Sequence, residues 1–224
     1  MSELAGGDIS QWSGKTWGAI GDSITSPGGG TSTVDKLYHD LIAAEVGMAV
    51  TNYGVGGTGW RTPGSGGSNA IYQRMTGFAD HDLFTVFAGT NDWDEVGVSM
   101  TLGAFGDTSG ATSFYGAVDE VLAYLVTTFP TRKIAAFTPI QRGDAWYNLQ
   151  HGTSGVSLQD VSTAILTVAA KYNVPVLDLY KRGGMYVQDA GFRSAYMSSS
   201  SNVHPNDAGH ARLAKIMRPF LDGL

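Results

Sequence analysis

Short apolar runs rich in Val, Ile, Phe and Ala alternate with longer segments of helical period, and this alternation constrains the fold most. It predicts βαβ units built around a parallel sheet. Strands are predicted at residues 16–21, 49–53, 83–88, 133–138 and 174–179, and helices at 33–46, about 68–77, 113–129, 157–172 and about 206–221. We therefore expect a three-layer α/β/α sandwich with a five-stranded, mostly parallel sheet.

The length of the chain, 224 residues, is enough for one domain with a single large core. We expect residues 1–15 to form an N-terminal extension and residues 16–224 to form the folded domain. The start of the chain is polar and rich in glycine, unlike a signal peptide. No apolar run approaches the about 20 residues that span a membrane, so no membrane partner is expected. Cellular location and oligomeric state stay open, and an excised domain of an extracellular or virion protein is one possibility.

The charged residues argue against a nucleic-acid partner. The formal net charge is −6, and 14 Lys and Arg residues are too few for a strongly basic surface. The absence of cysteine excludes disulfides and thiolate metal sites. His39, His81, His151 and His210 have no spacing with carboxylates that is typical of a metal site, so neither a metal nor an organic cofactor is expected.

The loops that follow the predicted strands are where function is expected, because ligands of open parallel sheets bind beyond the carboxyl ends of the strands. Four polar motifs lie in those loops. They are Gly-Asp-Ser-Ile at 21–24, Asn-Tyr-Gly-Val-Gly-Gly at 52–57, Gly-Thr-Asn-Asp at 89–92 and His-Pro-Asn at 204–206. In this order they resemble the four blocks of the GDSL, or SGNH, hydrolase family, and the resemblance extends over residues 17–224. It implies a flavodoxin-like three-layer fold and a serine esterase.

The resemblance also implies a role for each motif. Ser23 would attack the acyl carbon, and His204 would be its general base. The backbone N–H groups of Ser23 and Gly57 and the side chain of Asn91 would form the oxyanion hole. The chemistry needs such residues, because a hydroxyl is a poor nucleophile without a neighbouring base and an oxyanion needs fixed donors. Alternatives stay open: Gly56 is the rival of Gly57 as a donor, and Gly57, Asn91 and His204 could each be structural.

The acidic residues depart from the family pattern, in which an acid three residues before the histidine orients its ring. Ser201 occupies that position here. Asp189 and Asp207 are poor substitutes, and Asp22 and Asp92 are expected to organise their loops by accepting backbone N–H groups. Three explanations remain open: a Ser–His dyad helped by a backbone carbonyl or water, an acid from elsewhere, or a loss of the acid. We favour the dyad.

The loops that should surround Ser23 suggest the substrate. Trp60, Arg61 and Trp93, with Trp146 and Tyr147, lie in or next to them and could contact an acylated saccharide. Loops rich in Gly, Ser and Thr offer little apolar surface, which favours small acyl groups such as acetyl over lipids. A non-catalytic glycan-binding module of a larger surface or phage-type assembly and a sugar O-acyltransferase are the alternatives.

Overall fold

The computed structural model describes residues 10–31, 34–64, 69–95, 101–143, 150–151, 155–198 and 202–224. A five-stranded sheet with the order β2-β1-β3-β4-β7 forms the middle layer, and all its pairings are parallel. Its strands are β1 (Thr16–Gly21), β2 (Ala49–Gly54), β3 (Leu83–Phe87), β4 (Lys133–Phe137) and β7 (Val176–Leu177). A separate antiparallel pair joins β5 (Gln150–His151) to β6 (Val156–Ser157).

Helices follow the strands in chain order. They are α1 (Tyr38–Val46), α2 (Ile71–Arg74), α3 (Thr90–Glu95), α4 (Phe114–Thr128), α5 (Leu158–Lys171), α6 (Leu179–Arg182), α7 (Ala190–Tyr196) and α8 (Asp207–Asp222), with 3-10 turns at Pro27–Gly30 and Met75–Gly77. The side chains of Ser113, Ser157 and Asn206 accept backbone N–H groups and cap the starts of α4, α5 and α8. The three longest helices therefore begin where the sequence predicts.

Alternate side chains of the central strands enter two cores on opposite faces of the sheet. In β3, Phe84 and Val86 pack with side chains of α4 and α5, whereas Leu83 and Phe87 pack with side chains of α1 and α8. This division follows from the two-residue period of a strand. Helices cover both faces, so the predicted three-layer α/β/α architecture is confirmed.

The largest differences from the predicted elements lie at their ends. The fifth strand of the sheet is limited to Val176–Leu177, because Asn173 turns the chain with φ 53° and Asp178 already caps α6. The first helix begins at Tyr38 and not at residue 33, because Leu37 is still extended with ψ 162°. The second predicted helix is one turn of α-helix followed by a 3-10 turn.

Part of the predicted N-terminal extension packs against the domain. Trp12 is buried, and its ring nitrogen donates to the carbonyl of Leu221 at 3.2 Å. The N–H of Gly14 donates to the carbonyl of Gly47 at 2.8 Å. Residues 10–15 thus lie between α1 and α8, while residues 1–9 fall outside the described part of the chain. None of the helices described is long and apolar enough to cross a membrane.

Candidate active site

The carboxyl ends of β2, β1 and β3 lie side by side and bring three of the four motifs together. Gly21, the last residue of β1, is in register with Gly54 on one side and Phe87 on the other. A Cβ at Gly21 would lie 2.7 Å from the carbonyl oxygen of Phe87, so only glycine allows this close approach. The loops that carry Ser23, Gly57 and Asn91 therefore leave the sheet next to one another.

Ser23 and His204 form a hydrogen-bonded pair although 181 residues separate them in the sequence. The distance between Ser23 Oγ and His204 Nε2 is 2.8 Å. Ser23 is 7% exposed, and His204 is half-buried. In the neutral tautomer with its proton on Nδ1, the imidazole accepts the hydroxyl proton at Nε2. The predicted nucleophile and base are thus brought together in the geometry that general-base catalysis requires.

The backbone around His204 is fixed on both sides. The N–H of Ser198 donates to the carbonyl of His204 at 2.8 Å, and Met197 and Pro205 form an antiparallel bridge. Asn206 then caps α8 by accepting the N–H of Gly209 at 2.9 Å. The His-Pro-Asn motif therefore places the histidine immediately before a capped helix.

The pKa of His204 lies below its usual range. Burial of the ring is the main cause, and the positive charge of Arg142 acts in the same direction. Arg142 is 5% exposed and donates to the carboxylate of Asp94 at 2.7 Å and to the carbonyl of Thr90 at 3.2 Å. The imidazole is therefore neutral and ready to accept a proton at neutral pH.

A turn of glycines covers one side of the pair. Gly28, Gly29 and Gly30 have φ values of 78°, 59° and 80°, in the left-handed region. A Cβ at Gly30 would lie 2.5 Å from His204 Nε2 and 3.0 Å from Ser23 Cβ. Both the backbone conformation and the space therefore require glycine at position 30.

Three backbone N–H groups next to the serine are available to a ligand. Those of Ser23, Gly56 and Gly57 donate to no acceptor within the described part of the chain. A Cβ at Gly56 would lie 3.9 Å from Ser23 Cβ, whereas one at Gly57 would have Gly64 Cα as its nearest neighbour, at 3.9 Å. Gly57 as an oxyanion donor stays a prediction, with Gly56 as its rival.

Asn91 and Asp92, in the first turn of α3, hold the loop that contains Gly57. Asn91 Nδ2 donates to the carbonyl of Thr58 at 2.8 Å, which leaves its second N–H for a ligand. The fully buried carboxylate of Asp92 accepts the N–H groups of Trp60 at 2.9 Å, Arg61 at 2.9 Å and Thr62 at 3.0 Å. Asp92 organises its loop, as predicted.

Asp22 has the same role in the loop that contains Ser23. It is 2% exposed, and its Oδ1 accepts the N–H of Ile24 at 2.9 Å. Burial raises the pKa of this carboxyl to about 7, although the bond from Ile24 acts in the opposite direction. The prediction that Asp22 accepts backbone N–H groups is confirmed.

The aromatic side chains proposed to contact a saccharide are part of the core. Trp60 has no exposed surface, and its ring nitrogen donates to the carbonyl of Ala88 at 3.2 Å. Trp93 is 3% exposed and packs against the guanidinium of Arg142, 4.9 Å from the ring centre. The prediction that these two rings contact a sugar is wrong, because both rings are buried in the core. Trp146 and Tyr147 lie outside the described residues.

Arg61 joins two loops. Its Nε donates to the carbonyl of Gly110 at 3.0 Å and its Nη2 to that of Ala111 at 3.1 Å. The side chain is partly exposed. The structure therefore gives Arg61 a structural contact, and substrate binding by it stays a prediction.

Ser201, at the position of the family's acid, lies outside the described residues. The two nearby carboxylates that could replace an acid there form hydrogen bonds with other groups. Asp189 caps α7 by accepting the N–H of Phe192 at 2.8 Å, and Asp207 accepts the N–H of Asp35 at 2.9 Å. Within the described ranges no group of three or more His, Asp or Glu residues could hold a metal ion.

Two arginines near the site were not singled out from the sequence. Arg142 follows β4, and Arg74 ends α2. A cationic residue shortly after a strand end is the only sequence signal that Arg142 offers. Arg74 offers none, because its contacts depend on how α2 packs against the sheet.

Known proteins are similar to this chain in sequence and in structure. A model of the GDSL-like Lipase/Acylhydrolase family matches residues 19–212. No curated protein sequence matches the chain. A protein of known structure from Lactobacillus plantarum is 30% identical, with a TM-score of 0.81 over 94% of this chain and 98% of that one.

Two more distant structures share the fold. A possible lipase from Chitinophaga pinensis is 21% identical, with a TM-score of 0.71 over 92% of this chain and 98% of that one. An acetylxylan esterase from Geobacillus stearothermophilus, solved as a catalytic mutant, is 18% identical, with a TM-score of 0.64 over 93% of this chain and 94% of that one.

Proposed function

The chain belongs to the GDSL-like lipase/acylhydrolase family, and from this premise we propose that it is a serine esterase that hydrolyses short-chain acyl esters, with Ser23 as nucleophile and His204 as general base. The observation that carries the proposal is the 2.8 Å separation of Ser23 Oγ and His204 Nε2. A lowered pKa of His204 supports it, because the base must be neutral to accept a proton.

In the first half of the reaction, His204 Nε2 takes the hydroxyl proton while Ser23 Oγ bonds to the acyl carbon. The carbonyl electron pair moves to oxygen and forms the oxyanion. When the oxyanion collapses, the ester C–O bond breaks and the imidazolium gives its proton to the departing alcohol oxygen. The acyl group is then held on Ser23.

In the second half, water attacks the acyl-serine. His204 Nε2 takes a proton from that water, a second tetrahedral oxyanion forms, and its collapse breaks the bond between the acyl carbon and Ser23 Oγ. The imidazolium returns the proton to Oγ. The carboxylic acid leaves, and the enzyme is regenerated with all protons accounted for.

The oxyanion of each step needs donors that are in place beforehand. We assign this role to the N–H groups of Ser23 and Gly57 and to the free N–H of the Asn91 side chain. One such donor contributes a factor of about 10²–10³ in kcat. The fixed loop from Thr58 to Thr62 supports the assignment, because donors that do not move cost no reorganisation during the reaction.

The reaction is expected to be slow. With Ser201 at the position of the family's acid, that position supplies no carboxylate to the imidazolium, and the nearby charge of Arg142 disfavours the charged ring further. Loss of the acid from such a triad lowers kcat by a factor of up to about 10⁴, and the oxyanion hole retains part of the catalysis. We therefore propose that Ser23 and His204 act without an acid at position 201.

Acetyl groups on a saccharide are the proposed substrate class. Glycines lie next to Ser23 on two sides, in the turn Pro27–Gly30 and at Gly56. Within the described part of the chain, the large hydrophobic side chains that are exposed are Phe105 and Tyr186. A lipase is expected to expose a broader apolar surface. The buried positions of Trp60 and Trp93 mean that recognition of the sugar depends on polar groups instead of these rings.

Steady-state hydrolysis of p-nitrophenyl acetate, butyrate and octanoate tests the proposal, with Ser23→Ala as the matched control. We expect acetate to be turned over fastest and Ser23→Ala to lose the activity with only a small change in melting temperature, since the buried hydroxyl loses one hydrogen bond, to His204, which contributes about 1 kcal/mol. A folded wild-type chain with no hydrolysis would favour the glycan-binding alternative. Transfer of acetyl to an added sugar in preference to water would favour the acyltransferase.

A further inference from the structure

Arg74 connects backbone groups from three segments at the catalytic edge of the sheet. Its Nη1 donates to the carbonyl of Tyr53 at 2.8 Å, its Nη2 to the carbonyl of Gly21 at 3.1 Å, and its Nε to the carbonyl of Asn69 at 2.8 Å. The cation also lies 5.9 Å from the ring centre of Phe78. One planar guanidinium therefore serves three backbone carbonyls at once.

Two of these carbonyls belong to the strand ends that carry the catalytic groups. Gly21 ends β1 and precedes Ser23 by two residues, while Tyr53 lies in β2 and precedes Gly56 by three. The carbonyl of Gly21 also accepts the N–H of Val55 at 3.1 Å. Arg74 thus bridges the nucleophile strand and the strand that leads into the oxyanion loop.

The guanidinium of Arg74 stays protonated in this buried position. Burial lowers the pKa of the guanidinium to about 10, which leaves it protonated at neutral pH, and the nearby carboxyl of Asp22 acts in the opposite direction. A lysine at the same place would keep a charge, but its ammonium is a single point on a flexible stem and cannot hold three carbonyls in one plane.

We propose that Arg74 is a positioning residue of the esterase, which sets the separation between Ser23 Oγ and the N–H groups of Gly56 and Gly57. This role rests on the proposed function. It matters because oxyanion donors act within a narrow range of distances, and a misplacement of about 1 Å at an active site can lower the rate about 100-fold.

The test compares Arg74→Ala and Arg74→Lys with the wild-type chain by kcat and KM on p-nitrophenyl acetate. Arg132→Ala is the control, because Arg132 forms a bidentate pair with Asp80, at 2.8 and 2.6 Å, and directly precedes β4, at the amino end of the strands and away from Ser23. Melting temperatures are measured for all variants. Guanidinium ion is then added at millimolar, non-denaturing concentration.

We expect both Arg74 variants to lose about 10- to 100-fold in kcat with little change in KM, because the contacts they disturb act on the oxyanion. Guanidinium should restore part of the kcat of Arg74→Ala, where it can occupy the vacated space, and should leave Arg132→Ala unchanged. A loss of activity caused only by lower stability would not show this selective rescue.

A folded Arg74→Ala with kcat within about twofold of wild type overturns the proposal. A loss of kcat in Arg74→Ala that guanidinium does not restore, and that Arg132→Ala also shows, likewise overturns the proposal. If Arg74→Ala does not fold, Arg74→Lys decides in the same way by its kcat. A wild-type chain without hydrolysis refutes the proposed function and this role together, whereas an active wild type with unaffected Arg74 variants refutes only the role of Arg74.

Discussion

Arg142 contributes to the charge around His204, at the scale of single residues. Burial is the main cause that lowers the pKa of His204 below the usual value of 6.5, and the positive charge of Arg142, whose guanidinium donates to Asp94 and Thr90, lowers it further. A lowered pKa keeps His204 in its basic form to more acidic pH. The wild-type chain should therefore retain kcat/KM below pH 6.5, where an unperturbed histidine would be more than half protonated.

Arg142→Gln tests this electrostatic effect. The amide can still donate to Asp94 and Thr90, but the charge that disfavours the imidazolium is gone. We expect the pKa of His204 to rise and the acid limb of the kcat/KM profile to move to higher pH. The measurement is the pH dependence of p-nitrophenyl acetate hydrolysis. An acid limb that stays in place or moves to lower pH contradicts the role assigned to Arg142.

The role of a residue was predictable from the sequence where local contacts determine it, whereas the orientation of a side chain was not predictable where tertiary packing determines it. Asp22 and Asp92 follow strand ends, and their acceptance of backbone N–H groups was predictable from loop chemistry. Trp60 and Trp93 stand in the same loops, yet both rings turn into the core. Which way a side chain next to a loop points depends on tertiary contacts that no local pattern encodes.

The turn Pro27–Gly30 is the element that covers the Ser23–His204 pair, and its conformation is specific to glycine. Gly30→Ala would add a methyl group 2.5 Å from His204 Nε2 at φ 80°. Gly14→Ala is a matched control, because Gly14 has φ 74° and nothing within 4 Å of an added Cβ.

Gly14→Ala should lose about 1–2 kcal/mol of the free energy of unfolding, since it forces an L-residue into the left-handed region. Gly30→Ala should lose at least as much, because its methyl group also meets His204. Only Gly30→Ala should also lose kcat, because only it displaces the imidazole from Ser23. Chemical denaturation and p-nitrophenyl acetate kinetics on the two variants check this. Equal kcat in Gly30→Ala and Gly14→Ala would show that the turn does not hold the pair.

At the same scale, the strands were more predictable than the helices around the site. The residues of β1 match the prediction at both ends, because a buried parallel strand is a short apolar run closed by glycine. The sequence predicts a loop where helix α3 lies, because its six residues, Thr-Asn-Asp-Trp-Asp-Glu, have no sustained apolar period. That short helix nevertheless delivers Asn91 to the site.

For the whole molecule, two buried groups make opposite contributions to the pH dependence of stability. Burial lowers the pKa of His210 from 6.5 to about 4, so between these values the unfolded chain binds a proton that the folded chain does not. Stability from this group falls as pH decreases. Burial raises the pKa of Asp22 from 3.8 to about 7, so its contribution falls as pH increases.

These slopes oppose each other between about pH 4 and 6.5, and single substitutions separate them. His210→Asn keeps an acceptor for the N–H of Tyr38, which donates to His210 Nδ1 at 3.2 Å. Relative to wild type, the free energy of unfolding of His210→Asn should fall as pH rises, by up to about 1.4 kcal/mol per pH unit. The free energy of unfolding of Asp22→Asn should instead rise with pH relative to wild type. Urea denaturation across this range measures both, and slopes of the same sign in the two variants would contradict the assignment.

We propose that Ser23, activated by His204, is the nucleophile of the chain. Mass spectrometry after reaction with a fluorophosphonate tests this role, because the probe forms a stable bond to an activated serine. We expect one phosphonyl group per chain, located on Ser23, absent from Ser23→Ala and formed at least about 100-fold more slowly in His204→Asn. Phosphonylation at another residue, or equal labelling of wild type and Ser23→Ala, would contradict it.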